Sequence, residues 1–254
     1  MTTENTYIIN NEELFVKQIL IDDTKPTIIF LHDSLGCVTL WRDFPEKVSE
    51  ILQVNVLVYD RLGYGKSAPM SSHIRPLNYL ELEADKLIGL IEYFNLNDVW
   101  LFGHSDGASI ALIAAGKYST LFNGIIVEAG HIYVEEITLR GIRDALNAYK
   151  TTDLSNKLKK YHGDKVEIIF KAWTLTWTSE EFRLWNVQKL MENITCDLLF
   201  IQGTLDEFGS LNQVYDTINV SKGRAEMFII PDIGHNPHKE NPELILESIK
   251  KFYR

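Results

Sequence analysis

The amino-acid sequence predicts an α/β fold with a mostly parallel, eight-stranded sheet and helices on both faces. Short apolar runs alternate with longer amphipathic runs along the chain, as in a series of βα units. The length of 254 residues suits a single domain that carries an insertion. No internal repeat, low-complexity tract or Pro- or Gly-rich linker divides the sequence.

Eight segments have the composition of strands. The first two, separated by polar residues, are predicted to form an antiparallel hairpin. The next four are rich in β-branched and aromatic residues and are nearly all apolar, as strands buried on both faces should be. Two more complete the set after a gap. In chain order the predicted strands cover residues 7–9, 14–19, 27–31, 54–59, 99–102, 125–127, 198–201 and 227–230.

Helical spacing fills most intervals between these strands. Asp43 is predicted to cap a helix that has Pro45 in its first turn. Similar spacing predicts helices over residues 80–94, 105–118 and 243–252. Residues 131–190 differ, because they have helical patterning but no convincing buried strand. We interpret them as a helical cap inserted into a core that is formed by residues 1–130 and 191–254.

Charge and composition exclude several kinds of partner. The net charge is −10 and no basic run occurs, so we expect neither a nucleic-acid nor an anionic-membrane partner. The N-terminus lacks a signal-peptide pattern, and no apolar run reaches the roughly 18 residues of a membrane span. Cys37 and Cys196 are far apart and have no metal-ligand neighbours, which fits a cytoplasmic protein without a metal. The sequence leaves the oligomeric state open.

The segment Gly103-His104-Ser105-Asp106-Gly107 follows the fifth predicted strand and begins a helical run. At such a junction, a G-x-S-x-G pattern makes a sharp, strained turn that holds the serine Oγ clear of the backbone. The helix N-terminus beneath it favours developing negative charge. The pattern therefore predicts that Ser105 is a nucleophile; the alternative is a merely structural turn.

A carboxylate and a histidine follow the last two predicted strands. Asp206 comes after the seventh strand and His235 after the eighth, so both would lie at the sheet edge that carries Ser105. In this order, and over nearly the whole chain, the sequence resembles the α/β-hydrolase superfamily. The resemblance implies that Ser105 is the nucleophile, His235 the general base and acid, and Asp206 the residue that orients the imidazole. Glu128, after the sixth strand, is the alternative acid, and Glu207 is a weaker one.

The segment after the third strand, Leu31-His32-Asp33-Ser34-Leu35-Gly36, is similar to the oxyanion loop of this superfamily. By position, the backbone N–H groups of Ser34 and Asp106 are expected to form the oxyanion hole. The segment departs from the family pattern because Asp33 replaces a usual glycine. Asp33 must therefore avoid a positive φ or accept strain.

Residues 60–67 have a glycine-rich pattern, but they do not predict nucleotide binding. Asp60 stands where a P-loop requires glycine, and Pro69 follows where a dinucleotide-binding loop must begin a helix. The segment also resembles a structural turn of the superfamily. We therefore expect no cofactor.

Three tryptophans, Trp173, Trp177 and Trp185, fall within thirteen residues of the predicted cap. Trp173 and Trp177 share a helix face because they are four residues apart. The rings either line an apolar acyl or aryl pocket or form the core of the cap. Glu128 and His131, at the end of the sixth strand, are further pocket candidates.

The resemblance implies a serine hydrolase that cleaves a small carboxylic ester, or a related acyl bond, through an acyl-enzyme. One alternative keeps the same triad but cleaves a carbon–carbon bond in a keto-acid. Such an enzyme needs an arginine to bind the carboxylate, and the candidates are Arg140, Arg143 and Arg183. The other alternative is a slow-turnover ligand receptor on the same scaffold. All three interpretations have a small-molecule ligand.

Overall fold

Eight strands form one sheet in the computed structural model, which describes residues 1–253. The strands are β1 (Thr2–Ile9), β2 (Glu12–Ile19), β3 (Thr27–Leu31), β4 (Asn55–Tyr59), β5 (Val99–His104), β6 (Phe122–Glu128), β7 (Asp197–Gly203) and β8 (Ala225–Ile230). Their order in the sheet is β1-β2-β4-β3-β5-β6-β7-β8. β2 is antiparallel to both β1 and β4, and all other neighbouring strands are parallel. The predicted fold class is confirmed.

The predicted strands are all present, and the largest difference is at the N-terminus. β1 begins at Thr2, five residues before the predicted start. Its first residues are polar and mostly exposed, so no apolar alternation marks them as a strand. They are ordered instead by pairing with β2, in a register that runs from Thr2 opposite Ile19 to Ile9 opposite Glu12.

Ten α-helices accompany the strands within residues 1–253. They are α1 (Phe44–Leu52), α2 (Tyr79–Tyr93), α3 (Asp106–Lys117), α4 (Glu136–Thr151), α5 (Leu154–His162), α6 (Val166–Trp177), α7 (Gln188–Met191), α8 (Asn212–Ile218), α9 (Pro237–Glu240) and α10 (Pro242–Phe252). Asp43 stands at the N-cap position of α1, but its side chain makes no capping hydrogen bond. Its carboxylate lies 3.3 Å from Lys47 Nζ instead, so the predicted cap is corrected to an ion pair.

Apolar side chains project from both faces of the sheet, and those of each face pack against different helices. Along β3, Ile29 and Leu31 pack with α2 and α3, whereas Ile28 and Phe30 pack with α1 and α10. This alternation follows from the two-residue repeat of a strand. β3 is buried along its whole length, because helices cover both faces.

The sheet order creates a crevice at the carboxyl ends of β3 and β5. β4 lies on one side of β3 and β5 on the other, so the connections after β3 and after β5 leave in opposite directions. Such a switch point is where ligands bind in open α/β sheets. Leu31 pairs with Gly103, which places the loop after β3 beside the turn after β5.

Helices α4 to α7, called the inserted helices below, lie between β6 and β7 in chain order. Within residues 129–196, the structure has one isolated β-bridge, between Tyr133 and Asn186, and no strand. Among residues 1–253, no helix has the length and apolar character needed to cross a membrane. Cys37 and Cys196 are both buried and unpaired with each other.

Candidate active site

Ser105 occupies the turn between β5 and α3 in a strained conformation, with φ of 55° and ψ of −118°. Two glycines make this turn sterically accessible. A Cβ on Gly107 would overlap the carbonyl oxygen of Leu31, and one on Gly103 would overlap the carbonyl of Gly107. The Ser105 N–H donates to the carbonyl of Glu128 at 2.9 Å, which anchors the turn to β6. The strain is therefore maintained by the packing of three adjacent strand ends.

Ser105, His235 and Asp206 form a continuous hydrogen-bonded path. Ser105 Oγ lies 2.9 Å from His235 Nε2. Both carboxylate oxygens of Asp206 lie 2.9 Å from His235 Nδ1. His235 and Asp206 come from the loops after β8 and β7, and all three residues are buried.

The carboxylate of Asp206 is held by three further donors. Its Oδ1 accepts hydrogen bonds from the backbone N–H groups of Phe208 at 2.8 Å and Gly209 at 3.2 Å. Its Oδ2 accepts a hydrogen bond from Gln202 Nε2 at 2.7 Å. Gln202 was not predicted as a site residue, although it is a polar side chain at the end of an apolar strand. That break in the apolar run is the signal that would have identified it.

The pKa values of the two titratable residues in this path move in opposite directions. Burial opposes ionisation of Asp206, but the charge and hydrogen bond of His235 outweigh it and lower the pKa of Asp206. Burial likewise opposes protonation of His235, but the charge and hydrogen bond of Asp206 raise its pKa above the ordinary 6.5. The pair is therefore arranged to stabilise an imidazolium beside a carboxylate.

Two backbone N–H groups beside Ser105 have no acceptor in the described part of the chain: that of Ser34, in the loop after β3, and that of Asp106, at the start of α3. Neither the Ser34 N–H nor the Asp106 N–H donates to another protein group within residues 1–253, and both residues line the cavity above Ser105. Asp33 does not have a positive φ, so the strain considered for a non-glycine residue does not arise. Its Oδ1 accepts a hydrogen bond from the Leu35 N–H at 2.9 Å, which closes the loop locally.

Glu128 does not contact His235. Its Oε2 lies 2.6 Å from His238 Nδ1, and both residues are buried behind the nucleophile turn. Burial raises the pKa of Glu128 to about 7. Glu128 is also absent from the cavity lining, so its placement as a pocket residue is corrected. It ends β6 with its side chain directed to the face that carries His238, and only its backbone reaches Ser105.

A cavity of about 140 Å³ lies over Ser105 and is bounded by the inserted helices. His131, Trp173 and Trp177, three of the pocket candidates, line this cavity. Trp185 does not, because its ring stacks on Phe182 at a centroid distance of 5.4 Å. Trp185 belongs to the packing of the inserted helices, and its assignment to the pocket is corrected.

A profile of the alpha/beta hydrolase family matches residues 28–248. The chain belongs to the alpha/beta hydrolase family. The match begins in β3 and ends in α10, so it includes all the strand ends that carry the site. The protein is an enzyme of the α/β hydrolase class.

Relatives and solved structures agree with the assignment of this chain to the α/β hydrolase family. A 2-succinyl-6-hydroxy-2,4-cyclohexadiene-1-carboxylate synthase of Shigella flexneri serotype 5b (strain 8401) is 24% identical over 90% of this chain and 94% of its own. An enol-lactonase from Burkholderia xenovorans LB400 has a TM-score of 0.78 and 14% identity, covering 98% of this chain and 99% of its own. A meta-cleavage product hydrolase from Pseudomonas fluorescens IP01 has a TM-score of 0.72 and 13% identity, covering 98% of this chain and 97% of its own. The structural likenesses show a shared fold.

Several cavity residues of this α/β hydrolase were not predicted from the sequence. They are Leu35, Thr138, Ile142 and Phe208. The Phe208 ring lies 4.6 Å from the His235 ring, centroid to centroid, and so covers one side of the imidazole. No local pattern marks these residues, because each becomes part of the site only through packing. Within residues 1–253, no cluster of three or more His, Cys, Asp or Glu side chains is arranged to hold a metal ion.

Proposed function

We propose that this α/β hydrolase cleaves small, uncharged carboxylic esters through an acyl-enzyme on Ser105. The observation that carries the proposal is the hydrogen-bonded path from Asp206 through His235 to Ser105, with 2.9 Å between Ser105 Oγ and His235 Nε2. A serine needs an adjacent base to become a nucleophile, and that base needs a partner that fixes its tautomer. Both requirements are supported by these contacts.

In the proposed reaction, Ser105 Oγ attacks the ester carbonyl carbon while His235 Nε2 accepts the hydroxyl proton. Asp206 stabilises the resulting imidazolium. The N–H groups of Ser34 and Asp106 donate to the oxyanion, which is supported by their lack of other acceptors. His235 then donates its proton to the leaving alkoxide. Water, deprotonated by His235, hydrolyses the acyl-enzyme and returns Ser105 to its starting state.

The cavity supports an uncharged acyl group. No lysine or arginine is among the residues that line it within the described chain. Arg140 and Arg143 are exposed, and Arg183 pairs with Glu136 at the surface. The carbon–carbon hydrolase alternative needs an arginine in the pocket, so it has less support. The named product of the Shigella relative is a carboxylate; with no cation in the lining, we propose a different substrate for this enzyme.

The size and walls of the cavity support a short acyl chain. Trp173, Trp177, Ile142 and Phe208 supply apolar surface within about 140 Å³, which is small compared with the roughly 300–1,000 Å³ of drug-sized ligand sites. We also propose that residues 131–190 act as a cap, because the inserted helices contribute Trp173 and Trp177 to this wall.

The first test is covalent labelling with a fluorophosphonate, followed by peptide mass spectrometry. We expect stoichiometric modification of Ser105 in the wild type and none in the Ser105→Ala variant. Ser105→Ala should also lower kcat by about 10⁵–10⁶. Labelling at another serine, or no labelling of folded protein, would refute the assignment of Ser105 as the nucleophile.

The second test compares two activated esters of similar length, p-nitrophenyl butyrate and p-nitrophenyl hemisuccinate. We expect rapid multiple turnover of the butyrate and a kcat/KM at least about tenfold lower for the hemisuccinate, because its carboxylate has no cation in the cavity. Preference for the charged ester would favour the keto-acid alternative. A single slow turnover would favour the receptor alternative.

A further inference from the structure

One histidine of the inserted helices bonds two separate loops of the sheet domain. His162, the last residue of α5, is buried. The Gly65 N–H donates to His162 Nδ1 at 3.0 Å, and His162 Nε2 donates to the Leu35 carbonyl at 2.9 Å. The two bonds define one neutral tautomer, because a backbone N–H can only donate and a carbonyl can only accept. Burial lowers the pKa of His162, in agreement with a neutral ring.

Lys165, three residues after His162, also attaches the inserted helices to the sheet domain. Its ammonium group donates to the backbone carbonyls of Tyr64, Gly65 and Ser67, all in the turn after β4. Within residues 1–253 it forms no salt bridge with a carboxylate. The hydrogen bonds of Lys165 are therefore confined to this turn, whereas His162 also bonds to the loop after β3.

The Leu35 carbonyl is a critical attachment point, because Leu35 follows Ser34 directly. Residues 32–36 have no regular secondary structure, so their conformation depends on individual hydrogen bonds. Arg61 Nη2 donates to the Asp33 carbonyl at 2.9 Å, and Asp33 Oδ1 accepts from Leu35 N–H. The bond from His162 is the one hydrogen bond within residues 1–253 that joins the inserted helices to this loop.

We propose that His162 is a positioning residue that holds the oxyanion loop through the Leu35 carbonyl, so that the Ser34 N–H is in place before the reaction begins. A donor aimed at an oxyanion contributes most when it needs no reorganisation. His162 thereby makes the catalytic rate depend on docking of the inserted helices. This inference rests on the proposed role of Ser34 in ester hydrolysis.

Two conservative variants separate the two bonds of His162. In His162→Gln the amide nitrogen stands near the position of Nε2 and retains the donor to Leu35. In His162→Asn the amide oxygen stands near the position of Nδ1 and retains the acceptor for Gly65, but the donor to Leu35 is lost. His162→Leu removes both, and Lys165→Met is a matched control that weakens the attachment of the inserted helices without touching Leu35.

Steady-state kinetics with p-nitrophenyl butyrate gives the first readout. We expect kcat to fall by about tenfold to a hundredfold in His162→Asn and His162→Leu, less than the 10²–10³ typical of a deleted oxyanion donor. KM should change by less than about threefold, and His162→Gln and Lys165→Met should retain kcat within about threefold. A wild-type kcat in His162→Asn, or an equal loss in His162→Gln, would overturn the proposal.

Hydrogen–deuterium exchange gives a readout that does not need activity. Amides in residues 34–38 should exchange faster in His162→Asn and His162→Leu than in the wild type or His162→Gln. If the wild type cleaves no ester but these amides respond, the proposed function fails and the loop-holding role of His162 stands. If the amides do not respond in either variant, the role of His162 is refuted whatever the esterase activity. Should His162→Leu fail to fold, the Gln and Asn variants decide the outcome.

Discussion

Asp206 contacts His235 through both of its carboxylate oxygens, each 2.9 Å from Nδ1. The same oxygens accept hydrogen bonds from Gln202, Phe208 and Gly209, so the carboxylate is fixed from several directions. By contrast, the carboxylate of Glu128 contacts a different histidine. These placements separate Asp206 from Glu128, the stronger of the two alternative acids in the sequence, and they lead to a direct test.

Asp206→Asn should be severely impaired, with kcat lower by about 10⁴, because an amide favours the wrong imidazole tautomer at Ser105. Glu128→Gln and Glu207→Gln should retain most activity. The measurement is kcat of all three variants on one activated ester, with folding checked by circular dichroism. If Glu128→Gln is instead the variant that loses activity, the acid that orients His235 is Glu128 at the end of β6. If all three remain active, another group orients His235.

The pH dependence of kcat/KM should reveal the raised pKa of His235. The base must be neutral to accept the Ser105 proton, so activity is lost as His235 becomes protonated. Because Asp206 raises the pKa above 6.5, the acidic limb of the profile should have its midpoint above 6.5. Glu128 also titrates near this region, since burial raises its pKa to about 7. Glu128→Gln should leave the midpoint unchanged; a midpoint below 6.5 would contradict the prediction.

Trp173→Ala should shift the acyl-chain preference toward longer esters, because it enlarges the cavity wall. We expect the ratio of kcat/KM for p-nitrophenyl octanoate over butyrate to rise by about tenfold. Trp185→Ala is the matched control, since Trp185 packs on Phe182 outside the cavity. It should lower the melting temperature without changing the ratio. An unchanged ratio in Trp173→Ala would mean that the acyl chain lies elsewhere.

Gly107→Ala should destabilise the fold, because its Cβ would overlap the backbone oxygen of Leu31, which cannot move aside easily. We expect a loss of about 1–3 kcal/mol in the free energy of unfolding, measured by urea denaturation. Gly234→Ala is the control, since its Cβ would meet side-chain carboxylate oxygens, of Glu240 at 3.1 Å and of Glu207 at 3.5 Å, and no backbone atom among its nearest neighbours. Equal stability of the two variants would show that the turn has room to relax.

The sequence by itself determined the sheet, the turn that carries Ser105 and the chain order of the three site residues. These features are local. Runs of β-branched and aromatic residues specify strands buried on both faces, and glycines at positions 103 and 107 permit the strained turn at Ser105. The carboxyl ends of parallel strands meet at one edge, so residues that follow β5, β7 and β8 must come together.

Only the tertiary structure decided which side chains face one another at that edge. Asp206 and Glu128 both follow strands, but the direction of each side chain depends on packing that a local pattern does not encode. The same is true of the three tryptophans between residues 173 and 185, of which Trp173 and Trp177 line the cavity and Trp185 does not. His162 forms hydrogen bonds with Gly65 and Leu35, which lie 97 and 127 positions before it in the chain. Such contacts arise only when the inserted helices dock on the sheet, because side-chain direction at a contact is set by the neighbours that packing supplies.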